Sequence, residues 1–160
     1  MKRFAMLYAF FLLLLFGLFY APFVPVASVL NQMQTALTLR GLDLFLEPGQ
    51  LQGIDIIINP HYKIIINQAC NGMIPILFLW ASILAYPAPL QHKLLWLIVG
   101  YVVFTVVNIV RILFVVFFVG QEAGRGNFYW SHDIVGNALL MLTGLGLFVT
   151  FIKRAKNMYK

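Results

Sequence analysis

Residues 94–119 form one apolar run broken by a single charge, Arg111. A helix needs about 20 such residues to cross the hydrocarbon core of a bilayer. Inside lipid, a chain must satisfy every backbone polar group internally, so a spanning run of this kind is helical. Three further runs, 4–30, 73–86 and 134–152, have the same character. The run 73–86 is short and is expected to recruit Asn71 and Gly72 at one end and Ala88 at the other. The chain is 62% hydrophobic and 10% charged, against about 25% charged in an ordinary soluble domain. The expectation is an all-α integral membrane protein with four transmembrane helices, forming a single membrane domain over residues 1–160.

Charge at the segment ends predicts the orientation. Lys2, Arg3, Lys93, Lys153, Arg154, Lys156 and Lys160 fall on one side; Arg40, Lys63 and Arg125 fall on the other. The side richer in Lys and Arg faces the cytoplasm, so both termini are expected inside. The net charge of +6 does not point to nucleic acid, because the basic residues are scattered and form no stripe interleaved with aromatics. The first run is longer than the roughly 7–15 residues of a signal-peptide core, and Pro22 and Pro25 spoil the cleavage sites, so a retained anchor is expected.

The outer loop, 31–72, is long enough for structure of its own. Two β-branched runs around Asn59-Pro60-His61-Tyr62 predict a small extracytoplasmic β-hairpin over 54–67 with a four-residue loop. Alone it is marginal in water, so it is expected on the membrane surface or against helix ends. The stretch 31–40 is polar on one side and reads as an interfacial helix.

The costly residues are the informative ones. Cys70, the one cysteine, excludes an internal disulfide and precedes a helix whose first turn holds Pro75. The positive end of that helix favours thiolate, although a lone cysteine also serves as a small buried hydrophobe. Arg111 is charged within an apolar span, which is rare and usually functional, though a snorkelling anchor has the same sequence. Asn108 lies three residues before it, on the same helix face. His132 opens the fourth span, with Asp133 beside it as a cap and Gly136 one turn below; alone it reads as an interfacial histidine. The assigned topology places Cys70, Arg111 and His132 in one leaflet, from three helices. Together they supply a nucleophile, a proton carrier and a fixed positive charge for an oxyanion. His92 falls on the opposite side, and His61 in the hairpin turn.

At these residues the sequence resembles the exosortase/archaeosortase family of membrane cysteine transpeptidases. The shared pattern is Ala69-Cys70-Asn71-Gly72, then Asn108 to Arg111 as Asn-x-x-Arg, then His132 with Gly136 following, across about 50–152. The family usually has Ser where Asn71 stands, and larger members carry additional helices, so the likeness is to compact members holding the catalytic core alone. The resemblance implies Cys70, Arg111 and His132 as catalytic residues, with Asn108, Asn71 and Gly72 binding or orienting the substrate. It also implies partners: membrane-anchored secreted proteins ending in a short motif, a helix and a basic tail, and an acceptor of unknown identity. The expected setting is the plasma (inner) membrane, with the site facing outwards.

Two rivals remain open at this level. One is a membrane peptidase that releases its product to water. The other is a non-enzymatic assembly factor or small transporter subunit, against which the apolar inner halves of the spans argue. No phosphate-binding glycine loop, metal-ligand cluster or haem motif appears, so no cofactor and no metal is expected.

Overall fold

The computed structural model describes residues 2–21, 25–60, 62–67, 70–121 and 129–158. The first apolar run does not form one helix over 4–30. Helix α1 (Lys2–Tyr20) ends short of Pro22, and a second helix, α2 (Pro25–Asp43), follows. Pro22 and Pro25 explain the break, since proline disrupts a helix interior and is well suited to the first helical position. Where an interfacial helix was expected over 31–40, α2 is longer and begins earlier.

After α2 comes a three-stranded antiparallel sheet, β1 (Leu51–Gln52), β2 (Asp55–Asn59) and β3 (Tyr62–Ile65), in that spatial order. The expected hairpin is its β2–β3 part, paired Ile56 with Ile64. Asn59 pairs with Tyr62, so the connection is two residues rather than four; its second residue, His61, lies outside the described residues. Strand β1 adds Leu51 opposite Ile56. Ile56, Ile64 and Ile66 pack with Leu42 of α2 and, from the next long helix, Ile112, Val115 and Val119. The sheet thus sits on helix ends.

The central element is α3 (Met73–Ala85). Met73, Ile76, Leu77, Leu79, Ala81, Ile83 and Ala85 are buried, so it is covered on most of its surface, with Phe78 left 43% exposed. At about 1.5 Å per residue it is roughly 20 Å long, and it does not recruit its flanks. Gly72 has φ 79°, outside helical space, while Pro87 and Pro89 follow Tyr86 and stop the other end. Helix α4 (Leu90–Gln121) then runs the height of the bundle. A π-helical segment, Tyr129–Gly136, leads straight into α5 (Asn137–Asn157).

Among the described residues three helical stretches are long and apolar enough to cross a membrane: Lys2–Tyr20, Leu90–Val119 and Ile134–Asn157. Their outward surfaces carry Leu13, Ile98, Met141 and Leu142 in the open. Water would penalise such a surface, whereas lipid does not. The chain is a helical membrane protein.

Helix α2 has the reverse of the usual amphipathic pattern. Asn31, Gln34 and Thr38 are buried, with at most 1% exposure, while Val29, Met33 and Leu37 are 52%, 64% and 42% exposed. Polar side chains buried without partners cost about 1–3 kcal/mol each. These have partners. The Asn31 amide donates to the carbonyls of Phe19 and Ala27, and the Thr38 hydroxyl donates to Gln34 O at 3.0 Å. The direction of α2 follows from two contacts with α4: Gln34 meets Tyr101, and Gly41 abuts Ile109. The two helices therefore run the same way, side by side.

Candidate active site

The turn before α3 is fixed from both flanks. Asn108 of α4 donates its amide to Cys70 O at 2.9 Å. The next carbonyl, Asn71 O, accepts from Gln34 Nε2 at 3.1 Å, and the Thr38 hydroxyl shares its one proton between Gln34 O at 3.0 Å and Asn71 O at 3.4 Å. Asn71 Oδ1 accepts the Met73 N–H at 3.0 Å, covering one of the unpaired donors that open a helix. Gly72 closes the turn in the left-handed region, and a Cβ there would lie 2.8 Å from Asn108 Cγ. Both features call for glycine.

Held this way, Cys70 Sγ lies 3.7 Å from His132 Nε2. Arg111 comes up from α4 and places Nη2 3.1 Å from that same nitrogen. Nη2 also faces His132 O and Asn137 Oδ1, each at 3.2 Å, and Nη1 donates to Asn108 Oδ1 at 3.4 Å. A guanidinium only donates, so His132 Nε2 presents its lone pair to Arg111 and the ring proton sits on Nδ1. That one lone pair serves one donor at a time, so it takes the Cys70 thiol proton when the Nη2 protons turn to His132 O and Asn137 Oδ1. Nη2 carries two protons and faces three acceptors. If Nε2 takes a proton and ceases to accept, His132 O and Asn137 Oδ1 still occupy both N–H groups of Nη2.

Burial pushes the Cys70 thiol up, but four effects together outweigh it and leave the thiol below its ordinary value. They are the hydrogen bond to His132, the charge His132 carries once it has taken the proton, a backbone hydrogen bond from Asn67 and the Arg111 charge. The Cys70 N–H itself is engaged by Asn67 O at 3.0 Å. Arg111 is the fixed positive charge that helps hold the thiol down.

Of the residues singled out in the sequence, Cys70, Asn108, Arg111 and His132 converge. Asn71 and Gly72 do not face this cluster: the Asn71 amide turns to Asn31 and Thr35 of α2, at 3.3 and 3.4 Å, and Gly72 supports Asn108. The Asp133 side chain lies outside the described residues. His92 is at the opposite end of the bundle, stacked on Phe151 with ring centroids 5.0 Å apart. Three partners went unnoticed in the sequence. Asn137 follows His132 by five residues, one turn of a π-helix, a spacing an α-helical reading does not place on one face. Gln34 and Tyr101 stand behind Asn71, joined by a 2.6 Å bond from the Tyr101 hydroxyl to Gln34 Oε1. Asn137 also heads an apolar groove of about 570 Å³ between α3 and α5, lined by Pro75, Phe78, Phe104, Leu140 and Met141.

A thiol from the turn before α3, an imidazole from the π-helical segment and a guanidinium from α4 define a membrane protein with a cysteine–histidine–arginine cluster. The chain belongs to the transmembrane exosortase family, whose model (Exosortase_EpsH) matches residues 2–149. No curated protein and no solved structure matches it.

Proposed function

We propose that this protein is a membrane-embedded cysteine transpeptidase that cuts C-terminal sorting signals from secreted proteins and transfers the new carboxyl end to an acceptor. The observation that carries the reading is the 3.7 Å approach of Cys70 Sγ to a His132 nitrogen that Arg111 also touches. His132 Nε2 takes the thiol proton, and the thiolate attacks the scissile carbonyl, forming a C–S bond. Arg111 offsets the charge on the tetrahedral oxyanion. The C–N bond breaks as His132 returns its proton to the leaving amine. An acceptor nucleophile, deprotonated by His132, then attacks the thioester and the C–S bond breaks, which regenerates the thiol cluster.

Both termini face the cytoplasm in this proposal, and the site opens on the extracytoplasmic side of the plasma membrane. Lys2 of α1 lines one cavity with Tyr86, Pro87 and Ile152, which supports putting the basic ends on one side. A substrate anchored by its own apolar helix brings its juxtamembrane peptide to Cys70, and the groove that starts at Asn137 suits such a helix. The test is mass spectrometry of secreted-protein C-termini in the host, with wild type set against Cys70→Ala. Loss of processed ends in the variant supports the reading; unchanged processing overturns it. An added group on the processed carboxyl marks transfer, and a free carboxylate marks hydrolysis.

A further inference from the structure

We infer that α2 is the positioning element for the nucleophile, with Gln34 as its central residue: Gln34 holds the Asn71 carbonyl, is itself held by Tyr101, and thereby sets the direction of the Cys70 thiol. The inference rests on the reading of Cys70 as the nucleophile.

The case starts from cost. A lipid-facing helix can bury apolar residues on its inner side at no penalty, yet α2 buries Asn31, Gln34 and Thr38. Each of them, and Thr35, has a bond to one residue, Asn71. Gln34 and Thr38 grip the Asn71 carbonyl, while Asn31 and Thr35 accept from its side-chain amide. The other end of that amide caps α3 through Met73 N–H. Every one of these polar groups of Asn71 is thus fixed from α2 or by α3 itself, and Asn71 is fully buried. Asn71 is not a surface residue presented to substrate.

Geometry turns this grip into an effect on sulfur. Consecutive carbonyls, Cys70 O and Asn71 O, are held from two different helices, α4 through Asn108 and α2 through Gln34. These bonds fix the peptide planes on both sides of the Asn71 Cα, and the bond from Cys70 N–H to Asn67 O at 3.0 Å holds the plane before Cys70. The Cα–Cβ direction at Cys70 follows, and with it the 3.7 Å approach to His132. Tyr101 adds the last constraint. Its hydroxyl donates to Gln34 Oε1 at 2.6 Å, so the amide presents Nε2 towards Asn71 and cannot flip without losing both bonds. Tyr101, Gln34, Asn71 and Cys70 form a chain from the middle of α4 to the thiol, and Gln34 acts through Asn71 without taking part in bond making.

Because Cys70 is the one cysteine, iodoacetamide incorporation reports its thiolate without interference. The experiment measures the rate of alkylation against pH for the full chain in membranes. The groups that face the sulfur, His132 and Arg111, are left intact in every variant. Gln34→Leu keeps the bulk and removes both bonds. Its alkylation midpoint is expected to rise towards that of an ordinary thiol by about one pH unit, a roughly tenfold fall in thiolate at neutral pH. Tyr101→Phe shifts it less in the same direction, and the double variant matches Gln34→Leu alone, because Tyr101 acts through Gln34. A Gln34→Leu protein that folds and keeps the wild-type midpoint overturns the inference, as does a double variant whose shift is the sum of the two. Should Gln34→Leu fail to fold, Thr38→Val and Tyr101→Phe carry the same test. Host processing separates this from the reading beneath it. Processing that persists in Cys70→Ser ends the transpeptidase proposal whatever Gln34 does. Processing lost in Cys70→Ser but at wild-type rate in Gln34→Leu removes only the positioning role.

Discussion

Replacing Gly72 with alanine tests how tightly the turn is built, and two other glycines provide the controls. Gly72 has φ 79°, and a left-handed alanine costs roughly 1–2 kcal/mol. Gly49 and Gly53, with φ 85° and 63°, carry the same backbone strain, but a Cβ on either meets nothing within 4 Å. At Gly72 the added carbon lies 2.8 Å from Asn108 Cγ and 3.0 Å from its Nδ2. Carbon atoms rest about 3.5–4.0 Å apart, so Asn108 must retreat by roughly 1 Å. That stretches its 2.9 Å bond to Cys70 O beyond hydrogen-bonding range and disturbs its contact with Arg111. A misplacement of about 1 Å at a reacting centre costs on the order of 100-fold in rate. Gly49→Ala and Gly53→Ala are therefore expected to lose only the strain energy in thermal stability in detergent, and Gly72→Ala that plus the cost of the broken Asn108 contacts. Only Gly72→Ala is expected to lose processing, by about 100-fold. If Gly72→Ala processes host substrates as fast as Gly49→Ala, the packed turn is irrelevant to the chemistry and the reasoning fails.

His132→Gln removes the ring nitrogen that lowers the Cys70 pKa, so the alkylation midpoint is expected to move up towards 9.0, the ordinary thiol value. Folding lowers this pKa, so the thiolate adds stability at pH above the unfolded value and loses it as pH falls through the folded one; a stability–pH series in which only the wild type gains at alkaline pH checks the sign. Met141→Trp fills the groove below Asn137 from a residue that is 75% exposed, and it is expected to slow processing while leaving the alkylation profile unchanged. Equal effects on both measurements refute the groove as a substrate path. Lys63→Ala breaks the 2.5 Å pair with Asp55; with the Lys63 side chain 53% exposed, the expected loss is under about 1 kcal/mol, with processing intact. A larger loss by thermal unfolding means that the sheet is more than a cover on the helix ends.

The parts of this molecule that were legible in the sequence are those where a single residue is costly in lipid. Arg111 in an apolar run, Asn108 one turn before it and the lone Cys70 ahead of a helix each stand out without knowledge of their neighbours. Helix α2 did not, and the reason is physical. Asn31, Gln34, Thr35 and Thr38 recur with helical spacing, and in water such a stripe faces solvent. Beside lipid the rule inverts, because the bilayer accepts Val29, Met33 and Leu37 while the bundle interior supplies the hydrogen-bond partners. The same inversion hides the break at Pro22 and Pro25, since hydropathy runs on through it and only proline's missing donor marks the end of α1. Asn137 was hidden by a different cause: a π-turn shifts the in-register partner from four residues to five, and hydrophobic periodicity leaves no trace of one extra residue. What was missed is therefore of two kinds, a shifted helical register at Asn137 and an inverted polar face on α2. The second is the fuller case, because α2 turns onto Asn71 the polar edge that a water-based reading assigns to the outside.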